Sequence, residues 1–354
     1  MCPVRVPGVP GTGEPDPALR PPSQDDPRLS PRRPGRPRLP RTALAIGGLA
    51  LAAVAGLGVF SRLTSGSARP STGPAAAGGA AAPSLPWPAQ GQSSVLVEGL
   101  GERGELGAKG RQTPVPIASV AKVMTAYVVL GDHPLRAGEA GPTVLVDREA
   151  ANEPLSGAES TVPVIEGQRL SERQALELLL IPSGNNIARM MARWDAGSEG
   201  AFVKKMNRAA RALGMDHTTY TGASGFEATT TSTSTDQLVL ARQAMRDEVF
   251  RSVVAERSVE KPDGSGALPN TNTLLGTDGV IGIKTGSSTP AGGALMWAAT
   301  APDASGHERL VLGVVLHQRA GAGAAQGLEA GLDNSRVLIE GVRRWLSTTE
   351  PGTH

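Results

Sequence analysis

From about residue 92 onward, apolar positions recur with periods that predict regular elements. Alternating or short apolar runs over Ser94–Glu98 and Glu105–Ala108 predict two strands joined by a glycine-rich turn. Apolar residues three and four apart predict helices over Ala118–Leu130, Ser171–Leu180, Asn185–Trp194, Ala201–Leu213 and Asp236–Met245. Apolar runs at Val280–Lys284, Ala294–Ala299 and Leu310–His317 predict three late strands. A last helix, near Gly331–Leu346, carries Val337, Leu338 and Val342 at helical spacing. Strands first, helices in the middle and strands last imply one sheet assembled from both chain ends around a helical insertion. That is an α+β or mixed α/β layered fold.

The first ninety residues read differently. Residues 1–41 hold 12 of the 29 prolines and eight arginines against four acidic residues. Such a segment has too little apolar surface to offset chain entropy and is expected to be a disordered tail. Thr42 to Ser61 is an uncharged run of twenty residues, mostly Ala, Leu, Gly and Val. As a helix it would extend about 30 Å, the thickness of a bilayer's hydrocarbon core. Arginines crowd its N-terminal side, which predicts a cytoplasmic tail and an exported domain. A cleaved leader is the other reading; it fits less well, because leader apolar cores run to about 7–15 residues. Residues 62–91, rich in Ala, Gly, Ser and Pro, are expected to be a linker, leaving 92–348 as the folded domain.

The net charge of +2 comes largely from the arginine-rich tail, so nothing suggests a nucleic-acid surface. Cys2 is the single cysteine and excludes an intrachain disulfide. The five histidines are scattered without metal-ligand spacing, and no metal or cofactor is expected. Gly99–Gly104 matches G-x-G-x-x-G, but no helix opens after it and prolines follow at 114 and 116, so it reads as a hairpin turn.

Three motifs carry chemistry. In Ile117-Ala118-Ser119-Val120-Ala121-Lys122, Ser119 and Lys122 share one helical face. A serine hydroxyl needs a neighbouring base, and a lysine can act as one when burial or another cation lowers its pKa. In Pro182-Ser183-Gly184-Asn185-Asn186, Ser183 or Asn185 would suit a helix N-cap. Ser183 could equally relay protons beside Lys122, and the Asn185 amide both donates and accepts. Gly282-Ile283-Lys284-Thr285-Gly286-Ser287 ends an apolar strand. A strand edge can bind an extended peptide, Lys284 and Thr285 suit a terminal carboxylate, and Gly286 allows close backbone approach. Each motif is common alone; the ordered triple is specific to penicillin-binding proteins and class A β-lactamases.

The blocks "PIASVAKVMTAYVVL", "LLLIPSGNNIARMMARW" and "GVIGIKTGSSTPAGGALMWAAT" resemble those of the low-molecular-weight D-alanyl-D-alanine carboxypeptidases, serine peptidase family S11. "TGASGFEATTTSTSTDQLVLARQAM" resembles the family's connecting segment, and the similarity runs from about Ser94 to His317. Ala121 replaces the family's usual threonine, and Thr-Gly-Ala-Ser-Gly replaces its Asn-Pro-x-Gly stretch. The resemblance implies a penicillin-binding transpeptidase/β-lactamase-like fold: an antiparallel sheet flanked by helices with a helical subdomain. It implies Ser119 as nucleophile, Lys122 as base, Ser183 and Asn185 as proton-relay and orienting residues, and Lys284 and Thr285 as carboxylate binders. The backbone amides of Ser119 and Ser287, beside Gly286, would form the oxyanion hole. Peptidoglycan stem peptides are the implied substrate and β-lactams the implied inhibitors. The N-terminal helix would be the anchor, because no C-terminal β-domain follows Leu346. Two alternatives share the motifs: a class A-like β-lactamase, disfavoured because Glu227 lacks the surrounding deacylation segment, and a non-catalytic wall-binding or β-lactam-sensing module.

Overall fold

The computed structural model describes residues 84–349 apart from 101–103, 156 and 158, so the expected tail, membrane helix and most of the linker lie outside the described residues. Strands β1 (Gln92–Val97) and β2 (Glu105–Lys109) pair as an antiparallel hairpin, so the glycine-rich G-x-G-x-x-G stretch joins two strands. After β3 (Val115–Pro116), a 3-10 turn at Ala118–Ala121 runs directly into α1 (Lys122–Asp132). Next come β4 (Thr143–Leu145), α2 (Arg148–Asn152), β5 (Arg169–Ser171), α3 (Glu172–Leu180), α4 (Asn185–Ala196) and α5 (Glu199–Ala212). The chain continues through β6 (Thr231–Ser232), α6 (Ser234–Ala244), α7 (Glu248–Val254), β7 (Ser258–Glu260) and β8 (Ala267–Pro269). Long strands β9 (Val280–Ser288), β10 (Gly292–Pro302) and β11 (Glu308–Gln318) and helix α8 (Ala324–Leu346) complete it.

The main sheet has the order β2-β1-β11-β10-β9, with antiparallel pairing throughout. Both chain ends build it, as the order of strand and helix patterns predicts. Strands β3 and β6, β4 and β5, and β7 and β8 form separate two-stranded ribbons.

Alternation along β10 explains why the sheet sits between two cores. Leu295, Trp297, Ala299 and Ala301 face one way and meet Leu338, Ile339, Val342 and Leu346 of α8. Met296 and Ala298 face the other way and join the large core under α1, α3, α4 and α6. Both faces are covered, so the strand reads as a continuous apolar run. Each fully buried aliphatic side chain contributes about 1.5–3 kcal/mol. Gly313 lies across from Trp297 on β11, and a Cβ there would come within 2.1 Å of the indole. Any side chain at 313 would collide with that ring, so only glycine fits.

The ordered chain reaches back beyond the expected linker boundary. Leu85 is buried in the α8-side core, with Trp87 packed against it.

Helix starts follow local hydrogen-bond chemistry. Ser171 and Gln174 form a reciprocal capping box at α3, and Ser198, Thr233 and Asp247 cap α5, α6 and α7. Helix α4 differs: its N-cap is Gly184, which makes no side-chain cap bond. Neither Ser183 nor Asn185 caps it, which corrects the capping reading of that motif. Both side chains are thereby left for other partners.

Candidate active site

Ser119 lies in the 3-10 turn and Lys122 opens α1. Side chains three apart eclipse in a 3-10 turn, so the serine hydroxyl and the lysine amine meet directly. Lys122 Nζ lies 2.9 Å from Ser119 Oγ, 2.6 Å from Asn185 Oδ1 and 2.8 Å from the Ser224 carbonyl. The amine is fully buried, whereas Ser119 is partly exposed.

Burial is the main reason Lys122 titrates well below the ordinary lysine range. The Lys284 ammonium and the Arg189 guanidinium lower it further, while Glu159 and Glu227 pull it back up. Of the two causes open to such a lysine, burial and a neighbouring cation, burial is the larger here. A neutral amine touching a serine hydroxyl can accept its proton.

Asn185 connects this pair to a second layer. Its Nδ2 donates to Glu159 Oε2 at 2.8 Å, and Arg189 Nη2 donates to the same carboxylate at 2.7 Å. Arg189 Nη1 also donates to Glu153 at 2.6 Å. Ser183 is buried in the turn before α4 with φ +70°, a left-handed conformation costly for a non-glycine residue. Its Oγ has no hydrogen-bond partner among the described residues and makes no bond to Lys122. Ala118, just before Ser119, also has positive φ, at +46°.

Strand β9 is a sheet edge, and it runs on through the third motif to Ser288, whereas the apolar run alone predicts an end at Lys284. Lys284 is buried, and burial lowers its pKa to about 7. Its Nζ lies 3.5 Å from Thr271 Oγ1, which in turn lies 2.6 Å from Thr285 Oγ1. Thr271 N donates to Ile181 O, tying this loop to the end of α3 just before Ser183. Gly286 faces the 3-10 turn: a Cβ there would sit 2.8 Å from the Ile117 carbonyl and 3.1 Å from Val120 N. The third motif therefore packs backbone to backbone on the segment bearing Ser119. Ser287, one residue on, pairs with Gly293 of β10.

Residues from 119 to 287 thus gather at one place, with Lys122 bonded to Ser119 and Asn185 directly. Sequence reasoning missed four contributors: the Ser224 carbonyl, Glu159, Arg189 and Thr271. Ser224 lies in the "TGASGF" stretch and Arg189 in the "LLLIPSGNNIARMMARW" block already singled out; Glu159 and Thr271 sit in positions that no motif marks.

The D-alanyl-D-alanine carboxypeptidase family, Peptidase S11, matches residues 82–319, most of the described chain. The chain belongs to this family. It is 31% identical to a D-alanyl-D-alanine carboxypeptidase of Streptomyces sp. strain K15 over 208 residues, covering 54% of this chain and 70% of that one. It is also 31% identical to the carboxypeptidase DacB2 of Mycobacterium tuberculosis, covering 66% of this chain and 77% of its relative. The crystal structure of the Streptomyces K15 DD-transpeptidase superposes with a TM-score of 0.58 at 26% identity, over 70% of this chain and 94% of that one. Family membership fixes the fold as the penicillin-binding type, with its antiparallel sheet and flanking helices.

Proposed function

We propose that the protein is a serine-type D-alanyl-D-alanine carboxypeptidase that removes the terminal D-alanine of peptidoglycan stem peptides and is acylated by β-lactams. One observation carries this reading: a fully buried lysine bonded at once to a serine hydroxyl and to the asparagine of the second motif.

The substrate's terminal carboxylate is assigned to Lys284 and Thr285 within the edge strand, with the peptide extended along β9. Ser119 Oγ attacks the carbonyl between the two D-alanines while its proton passes to the Lys122 amine. The developing oxyanion is met by the backbone amides of Ser119 and Ser287, which Gly286 allows to approach the turn. The C–N bond breaks, the proton held by Lys122 passes to the leaving amine, and Ser119 is left as an ester. Water then attacks that ester, and Lys122 takes and returns its proton in the same way. Asn185 orients the substrate and the amine, and Ser183 assists the proton transfers. A β-lactam offers its ring amide in place of the bond between the two D-alanines: Ser119 Oγ adds to the ring carbonyl, the ring C–N bond opens with the proton from Lys122 passing to its nitrogen, and the opened drug stays on Ser119 as an ester. The scheme uses no cofactor or metal.

The test is release of free D-alanine from a pentapeptide ending in D-Ala-D-Ala. Turnover by the wild type and none by Ser119→Ala supports the assignment. A folded wild type that binds the peptide without releasing D-alanine supports the non-catalytic reading instead.

We further assign residues 1–41 to a cytoplasmic tail, 42–61 to a single membrane-spanning anchor, and the stretch from 62 up to the packed Leu85 to a tether that presents the folded domain outside the cytoplasm. The support for the anchor is the uncharged twenty-residue run itself, flanked on its N-terminal side by arginines. Full-length protein should sediment with membranes and keep its N-terminus; cleavage before residue 84 with release into the medium would refute the anchor.

A further inference from the structure

We propose that Glu159 is a positioning residue: it locks the Asn185 side-chain amide with Oδ1 toward Lys122, and so directs the amine's lone pair at Ser119. This deepens the function proposed above and rests on it.

Donors and acceptors around one nitrogen must match in number. Lys122 Nζ has three close neighbours: Ser119 Oγ, Asn185 Oδ1 and the Ser224 carbonyl. The Ser224 carbonyl can only accept. An asparagine amide can face the amine with either end, and the two ends have opposite consequences. Glu159 removes the choice, because an ionised carboxylate only accepts, so the end of Asn185 nearest it must be Nδ2.

A neutral amine has two N–H bonds and one lone pair. Asn185 Oδ1 and Ser224 O take the two N–H bonds, so the lone pair is left for the Ser119 O–H. With the amide reversed, Nδ2 would claim the lone pair. Ser119 would then receive an N–H and could not pass its proton to the amine. Arg189 holds Glu159 in place and is itself held by Glu153, so the lock has a salt-bridged backing.

Charged groups face Lys122 from every side: Lys284 from β9, Arg189 from α4, Glu159 from the loop after α2, and Glu227 from the segment after Ser224. Of these, Lys284 and Arg189 favour the neutral amine, while the two glutamates favour its protonated form. Neutralising Glu159 therefore displaces the acid limb of acylation to lower pH. A role confined to folding would not move that limb.

The measurement is the second-order rate constant for acylation by a fluorescent penicillin, followed against pH, on the full chain. Glu159→Gln keeps the shape but can offer its amide nitrogen to Asn185, so the plateau rate should fall about tenfold or more, with the limb shifted down. Glu153→Gln removes the other Arg189 partner without touching Asn185, and its limb should stay where the wild type's is. Glu159→Asp keeps the charge on a shorter stem; its limb should stay while its rate falls, and it carries the test should E159Q not fold. A wild-type rate in E159Q or E159D overturns the proposal. So does an E159Q loss that E153Q matches with the limb unmoved. A wild type that penicillin does not label at all overturns the serine-enzyme reading instead.

Discussion

Lys122 and Lys284 are both buried amines, and their different surroundings separate their tasks. Lys122 must be neutral to take a proton, so acylation should rise with pH through a limb set well below the ordinary lysine range. Lys122→Arg cannot deprotonate there and should lower acylation by about a thousandfold. Lys284 must be charged to hold a carboxylate, and in the free protein it loses its proton near pH 7. The KM for a carboxylate-terminated peptide should therefore rise above that pH, approaching about tenfold per unit if only the charged form binds. Lys284→Arg stays cationic, so its KM profile should be flat over pH 7–9. Steady-state kinetics across pH check both. At this scale the sequence was legible where a motif names a side chain. The Ser224 carbonyl acts through backbone that any residue could supply, and Glu159 and Thr271 act through partners far away in the chain. No local spacing marks them.

Helices and strands were legible where periodicity runs long enough. Helices α4 and α5 and strands β9 to β11 lie close to where apolar spacing places them. Helix α7, seven residues between Glu248 and Val254, is too short to declare a period and went unpredicted, as did the two- and three-residue ribbons. Helix α3 carries a buried carboxyl that its pattern does not reveal. Glu172 is buried with neither side-chain oxygen bonded among the described residues, and burial, aided by Glu139, raises its pKa to about 7. The folded state therefore keeps a proton that the unfolded chain releases near 4.5, and stability should fall as pH rises from about 4.5 to 7. Glu172→Gln should abolish that loss, which is on the order of a few kcal/mol. Thermal unfolding at pH 5 and pH 8 measures it. Strand β9 meets the serine turn through Gly286, where a methyl group would strike the Ile117 carbonyl. Gly286→Ala should keep the overall fold and far-UV spectrum yet lose most acylation, because the strand and turn must separate.

Across the whole molecule, two cores brace one sheet, and the edge strand opposite the β1–β2 hairpin carries the third motif beside the serine turn. Segments more than a hundred residues apart, Lys122 and Ser224 among them, share a hydrogen bond because the helical lobe folds back onto that edge. The order of strands and helices foretold the layers; it could not foretell which loops would close over the lysine. Limited incubation with a penicillin, followed by intact mass measurement and peptide mapping, is the most direct test of the account. It predicts a single adduct of the drug's mass on the peptide containing Ser119, missing from Lys122→Arg over the same time. An adduct on another residue, or an equally fast one in Lys122→Arg, would contradict it.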